Sequence, residues 1–320
     1  LSALHKGGIT MKKTIALIFA LCLVGGVCSE PMRIVNTTPL TASAEDTNFE
    51  ELYKEVYTEG ALTYGIDRDY AEVIQCSKDA RGEIMIPDNI NGVTVNIIAE
   101  EAFKDCTGIT AVTIPESVLK VNEYAFSGCT SLKTVKNRAD LQWVADYAFN
   151  NCKSLEGFLN PVFISGSDVL RGCTSLKSLE IADLSDTSFS YNNFIGGLRF
   201  VDCPNLESVI IPESCVILDL VRFENCPSLK ELVLPPNTSP IRSIRIIGCD
   251  NLSRIRLPLT TNSNESTSVY ISNCNNVSEL TFLNYLKVRT SRVKIQIQDM
   301  PALEKIEMSV GAESLEISGC

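Results

Sequence analysis

Ile114-Pro-Glu-Ser-Val-Leu-Lys-Val-Asn-Glu-Tyr-Ala-Phe-Ser-Gly-Cys-Thr-Ser-Leu-Lys133 is one period of a unit that recurs down the chain. Its cysteine marks the register: Cys106, Cys129, Cys152, Cys173, Cys203, Cys226, Cys249, Cys274 and Cys320 follow one another at steps of 23, 23, 21, 30, 23, 23, 25 and 46. The last step hides one more unit, because Met300 stands in the same context, Asp299-Met300-Pro301-Ala302-Leu303. Ten units are visible in this way.

Each part of the unit has a physical reading. Before the repeat cysteines stand Asp105, Gly128, Asn151, Gly172, Asp202, Asn225, Gly248, Asn273 and Gly319. These residue types tolerate a left-handed backbone or close a turn with their own side chain, so a sharp corner is expected in every unit. After the cysteine comes L-x-x-[VIL]-x-[IL], as in Leu206-Glu-Ser-Val209-Ile-Ile211 and Leu229-Lys-Glu-Leu232-Val-Leu234, alternating like a half-buried strand. Proline ends it at 115, 161, 212, 235 and 258, because it cannot donate to a ladder.

Early and late units then differ. Glu123-Tyr124-Ala125-Phe126 and Asp146-Tyr147-Ala148-Phe149 read as a single helical turn that places the aromatic inward, whereas Ile241-Arg-Ser-Ile244-Arg-Ile246 and Val293-Lys-Ile295-Gln-Ile297 read as a second strand. One unit cannot bury its apolar side alone, so the fold expected is a repeat solenoid, mainly β with short helical turns.

Residues 114–133 resemble the BspA-like leucine-rich repeat of surface and secreted proteins from bacteria and some protists. The resemblance covers about residues 84–320, closely over 84–156 and more loosely where the Ala-Phe element is missing. It implies a leucine-rich-repeat stack and an adhesion or interaction role, with no catalytic residues to carry over.

The ends are read separately. Residues 1–10 look like translated leader. Residues 11–44 look like a signal peptide, with Met11-Lys12-Lys13, an apolar run from Ile15 to Val27, and cleavage expected after Ala42-Ser43-Ala44. That run is too short to span a bilayer as a helix, so no transmembrane span is expected in the mature chain. A lipid anchor on Cys22 or Cys28 is disfavoured because Leu21 and Val27, not small residues, precede them. Residues 45–83 are expected to form an N-terminal helix-hairpin cap, with a helix over Asn48–Tyr57 and a hairpin of Ala61–Ile66 and Tyr70–Gln75. The solenoid follows over 84–320. No polar unit closes it at Cys320, as in a fragment of a longer protein, and an anchor, a dockerin or a catalytic module in a continuing reading frame would discriminate between a binding and an enzymatic role.

Composition narrows the function. Of the 320 residues 45% are hydrophobic and 21% charged, enough apolar content for a sizeable core. Removing residues 1–44 takes the formal charge from −11 to −14, which makes nucleic acid and anionic membrane poor partners. The sole histidine, His5, lies in the leader, so Ser-His-Asp, Cys-His and histidine-zinc mechanisms are excluded from the mature chain. No C-x-x-C pair occurs, and neither a metal nor a cofactor is expected. The cysteines are expected to form a buried structural ladder of reduced thiols, one strand spacing apart, with Cys76 and Cys215 off register.

Two functions remain. One is a secreted or cell-surface module that binds a protein or glycan. The other is a carbohydrate-active enzyme, or the targeting arm of one encoded downstream, drawing on Asp183 and Asp186. Binding would use the 183–197 insertion, with Tyr191 and Phe194, or the strand face. On that face the residues expected outward are Thr113, Lys136, Leu159, Glu180, Ile210, Val233, Arg256, Thr281 and Glu307. Ile210 and Val233 are the adjacent apolar pair, rimmed by Lys230, Glu231, Arg254 and Arg256. Trp143 sits at an alternating outward position and is expected to pack on a neighbouring coil rather than to serve as an exposed binding aromatic.

Overall fold

The computed structural model describes residues 52–67, 69–137, 141, 143–158, 166–181, 194–235, 241–259, 266–283, 292–309 and 312–320. Among these residues no helix occurs, and the chain coils into a solenoid with two stacks of strands. The first stack holds the strands that follow the cysteines. Gly82–Met85, Ile109–Ile114, Thr134–Asn137 and Gly157–Phe158 pair in order, Ser178–Glu180 pairs with Ser208–Ile210, and Glu231–Val233, Arg254–Pro258, Glu279–Leu283 and Lys305–Met308 pair in order. The second stack holds Ala71–Cys76, Val93–Ile98, Lys120–Val121 and Trp143–Val144, then six longer strands: Phe194–Val201, Val216–Glu224, Ile241–Ile247, Ser266–Ser272, Arg292–Gln298 and Ser314–Ser318. Pairing between successive coils is parallel throughout.

The core is a set of columns, one residue per coil. Phe103, Phe126 and Phe149 stack with centroids 4.6 and 4.9 Å apart. Phe200 and Phe223 stack at 5.2 Å in the corresponding position of the late coils, where Ile246, Ile271 and Ile297 take over. All are buried. Apolar stacking of identical positions is what one coil lacks by itself and what its neighbour supplies.

The corner before each cysteine is left-handed at all ten positions, with φ between 52° and 75° at Asp105, Gly128, Asn151, Gly172, Asp202, Asn225, Gly248, Asn273, Asp299 and Gly319. In the early coils acid or amide alternates with glycine for a steric reason. A Cβ on Gly128 would lie 2.1 Å from Asp105 Oδ1, and one on Gly172 would lie 2.4 Å from Asn151 Oδ1. A side chain leaning over the next coil leaves room there only for glycine.

The expected helical turn takes another form. Glu101, Tyr124, Tyr147 and Asp168 supply a second left-handed residue four positions before the first corner, with φ of 61°, 54°, 56° and 50°. Between the two corners alternate amides bond differently. Phe126 N–H donates to the Ala148 carbonyl of the next coil, whereas Ser127 N–H donates back to the Tyr124 carbonyl. Ala125 and Phe126 are consecutive and both fully buried, which an alternating strand cannot achieve. In the late coils inward Val221 and Phe223 flank outward Arg222, and the chain stays extended from 216 to 224.

The N-terminal region corrects one expectation. Glu55–Glu59 is not the end of a helix but a strand, antiparallel to Leu62–Ile66, which in turn pairs antiparallel with Ala71–Cys76. Ala71–Cys76 also pairs parallel with Val93–Ile98, so the hairpin is continuous with the second stack. Covering the open edge of a sheet favours a strand over a helix, because the edge amides and carbonyls need partners. Tyr53, which has the right spacing for a helix face, instead donates its hydroxyl to Glu72 at 3.0 Å.

Candidate functional site

The cysteine column is built by the corners. Cys129 donates its thiol to the Phe103 carbonyl at 3.0 Å, Cys152 to Phe126 at 3.1 Å and Cys173 to Phe149 at 3.2 Å. Later the same bonds lengthen, to 3.6 Å for Cys226 on Phe200 and 3.8 Å for Cys249 on Phe223, and each thiol also reaches the carbonyl two residues before it. All the described cysteines are free and all but Cys320 are buried. Cys76 occupies the slot that phenylalanine fills in the next coils, and Cys106 donates to its carbonyl at 3.6 Å. Burial pushes the Cys173 thiol up to about 12, and the hydrogen bond with Cys226, with burial behind it, does the same for Cys249. Thiols held this far from ionisation are neither nucleophiles nor metal ligands at neutral pH. Among the described residues no group of three or more His, Cys, Asp or Glu is placed to hold a metal.

The outward column of the first stack runs through Met85, Thr113 and Lys136, then Glu180 and Ile210, then Val233, Arg256, Thr281 and Glu307. Ile210 is 55% exposed and Val233 43% exposed, whereas Leu232 and Leu234 on either side of Val233 are buried. Thr113 departs from the expected solvated position. It is buried under Glu83, to which its hydroxyl donates at 3.3 Å, and Lys136 pairs with the same carboxylate at 2.6 Å. That ion pair holds the Glu83 carboxyl below the usual carboxylate range.

The expected rim is partly assembled. Arg254 lies between Glu231 and Glu279 in register, and Lys305 continues the row, so charges alternate in sign beside the apolar pair. Lys305 bonds Glu279 at 2.6 Å, and Lys230 bonds Glu207. Arg256 faces Val233 and Thr281. Phe194 opens a strand of the second stack, whereas the strands of Ile210 and Val233 belong to the first. Tyr191, Asp183, Asp186 and Leu159 lie outside the described residues.

Sequence reasoning missed two surface features. Met85, 66% exposed, heads the same outward column, and the alternation in Gly82–Met85 could have shown it. Tyr124 and Tyr147 stack face to face at 5.0 Å beside the Lys104 ammonium, and their left-handed backbone carried no local signal. Trp143 is 43% exposed on its strand, with the Lys120 ammonium 5.7 Å from its ring.

A family model described as a BspA type leucine rich repeat region, in six copies, matches residues 83–197 and 193–306. The chain belongs to the BspA-type leucine-rich-repeat family. Among solved structures, a leucine rich cell surface protein from Faecalibacterium prausnitzii A2-165 shares its fold at a TM-score of 0.51 and 18% identity, over 79% of this chain and 76% of that one. A T. pallidum leucine rich repeat protein aligns at 26% identity with a TM-score of 0.49, over 62% of this chain and 91% of that one. No curated protein matches the chain. Among the described residues of this BspA-type chain no helix is long and apolar enough to cross a membrane.

Proposed function

We propose that this BspA-type protein is a secreted or cell-surface binding module that recognises a protein or glycan through the first strand stack around Ile210 and Val233. The observation that carries the reading is the exposure of these two β-branched side chains on successive coils, 55% and 43%, at the head of a row of alternating charge that runs from Glu231 through Arg254 and Glu279 to Lys305. An apolar centre with a polar rim is the composition of a recognition patch. β-branched residues also suit strands wherever they face, and that is the competing account.

The double variant Ile210→Glu, Val233→Glu separates the two accounts. Both side chains face solvent, so the melting temperature should stay within a few degrees of the parent. Binding to a glycan array and to a panel of immobilised secreted proteins should fall to background. Unchanged binding by the double variant would sink the assignment of this face.

A further inference from the structure

We propose that the late strands of the second stack carry a separate site, in which Arg199, Arg222 and Arg245 bind a carboxylate-bearing polysaccharide laid along the solenoid axis. The three arginines are exact register partners on parallel strands, Arg199 beside Arg222 and Arg222 beside Arg245. Successive guanidinium groups are therefore ~4.7 to 4.9 Å apart at their strand origins. Like charges directly opposite one another destabilise a sheet, so such a column needs anions to offset it.

The protein supplies too few. Glu224 is shared, accepting from Arg222 at 2.6 Å and from Arg245 at 2.5 Å. Asp168 and Asp202 act on Arg222 only through space. Among the described residues no carboxylate bonds Arg199. The Nε atoms of Arg199 and Arg222 are buried without an acceptor. A chain with a formal charge of −11 has no general excess of cations, which makes a column of three a local feature.

The surroundings specify the ligand further. Tyr270 continues the column, with Arg245 5.0 Å from its ring centroid. The row alongside reads Gly197, Leu220, Ser243 and Ser268: the small residues stand beside Arg199, Arg245 and Tyr270 and the serines offer hydroxyls to a sugar, while Leu220 beside Arg222 offers an apolar contact to a sugar ring. An extended peptide presents side chains to one face every ~6.8 Å, out of step with the column, whereas a uronic acid polymer carries one carboxylate on every ring. Each carboxylate would meet the Nη groups at the end of a guanidinium, because Nε is buried in Arg199 and Arg222 and donates to Glu224 in Arg245. No atom is transferred; the site only binds.

The test uses the intact protein with de-esterified polygalacturonate, alginate, methyl-esterified polygalacturonate and poly-L-glutamate, by calorimetry at low salt. At least one of the two polyuronates should bind, weakening as salt rises, and the methyl ester should not. Arg199→Gln breaks no bonded ion pair and should weaken binding by at least about tenfold, the loss of one charge-assisted guanidinium–carboxylate contact. The Ile210→Glu, Val233→Glu variant should bind polyuronate normally, which keeps this site distinct from the first-stack face. The proposal is overturned if neither polyuronate binds, if the methyl ester binds as well, if Arg199→Gln binds like the parent, or if poly-L-glutamate binds as tightly as the polyuronates.

Discussion

Between Asn122 and Cys129 the chain turns at two left-handed residues, Tyr124 and Gly128; between Leu220 and Cys226 it runs straight to one, Asn225. Both routes deliver a phenylalanine, Phe126 or Phe223, to the core three residues before the cysteine. The early route buries Ala125 and Phe126 side by side and exposes Tyr124 in part. The late route alternates and so puts an arginine on the surface in every coil from 199 to 245. One inward position can thus be reached by two backbones, and the choice decides what the outer surface displays. A stacked tyrosine pair marks one half, and a column of guanidinium groups marks the other.

The widest test concerns what the two halves share, the thiol column. Cys173 in the early half and Cys249 in the late half are both pushed up to about 12, against an ordinary thiol value of about 8.5. The folded chain therefore keeps protons that the unfolded chain releases. Stability is full below about pH 8.5 and falls as pH rises towards about 12, by ~1.4 kcal/mol per pH unit for each such thiol. Denaturant midpoints should drop steeply between pH 8 and pH 10, and thiol reagents should label Cys129 and Cys226 only after unfolding. Rapid labelling of either in the native protein would show that the column is not closed.

A smaller effect separates the halves. Phe126→Ala removes the middle ring of the early stack and should cost ~3 to 5 kcal/mol. Because each coil contacts only its neighbours, hydrogen exchange should speed up around Lys120–Cys152 and stay slow at Ile244–Ile297. Equal loss of protection in both regions would mean that the solenoid unfolds as one unit and that the comparison has no energetic content.

The smallest effect compares two corners. Gly128→Ala and Gly248→Ala each place a side chain at positive φ, at a cost of ~1 to 2 kcal/mol. The added Cβ would sit 2.1 Å from Asp105 Oδ1 in the first case and 3.3 Å from Asn225 Oδ1 in the second. Gly128→Ala should therefore melt lower, and Asp105→Gly in the same chain should bring it back to the level of Gly248→Ala. If Asp105→Gly gives no rescue, the alternation of acid and glycine in the early corners has another cause.

Much of this was legible beforehand because a repeat states each local rule ten times. The corner before each cysteine, the alternation after it and the two classes of coil all follow from residue types whose backbone preferences act within a few positions. The pair Ile210 and Val233 was legible as well, since alternation alone places them outward. Local patterns failed where a partner from another coil decided the outcome. Glu55–Glu59 has helical spacing yet becomes a strand because Leu62–Ile66 offers an edge. Thr113 alternates outward yet is buried because Glu83 and Lys136 close over it.

The sequence by itself determined the period, the apolar columns and the corners, since these are properties of one unit repeated. Only the tertiary structure decided which charges pair and which side chains close over a neighbour, because those depend on how far a side chain reaches from the next coil and not on the period. Arg199, Arg222 and Arg245 each stand four residues before a repeat cysteine, so their alignment follows from the period; what the period does not give is that Glu224 serves both Arg222 and Arg245 and that no described carboxylate bonds Arg199. Parallel pairing places the three arginines in one column, and it is that uneven pairing, absent from any single repeat, that leaves a charge for a ligand to meet.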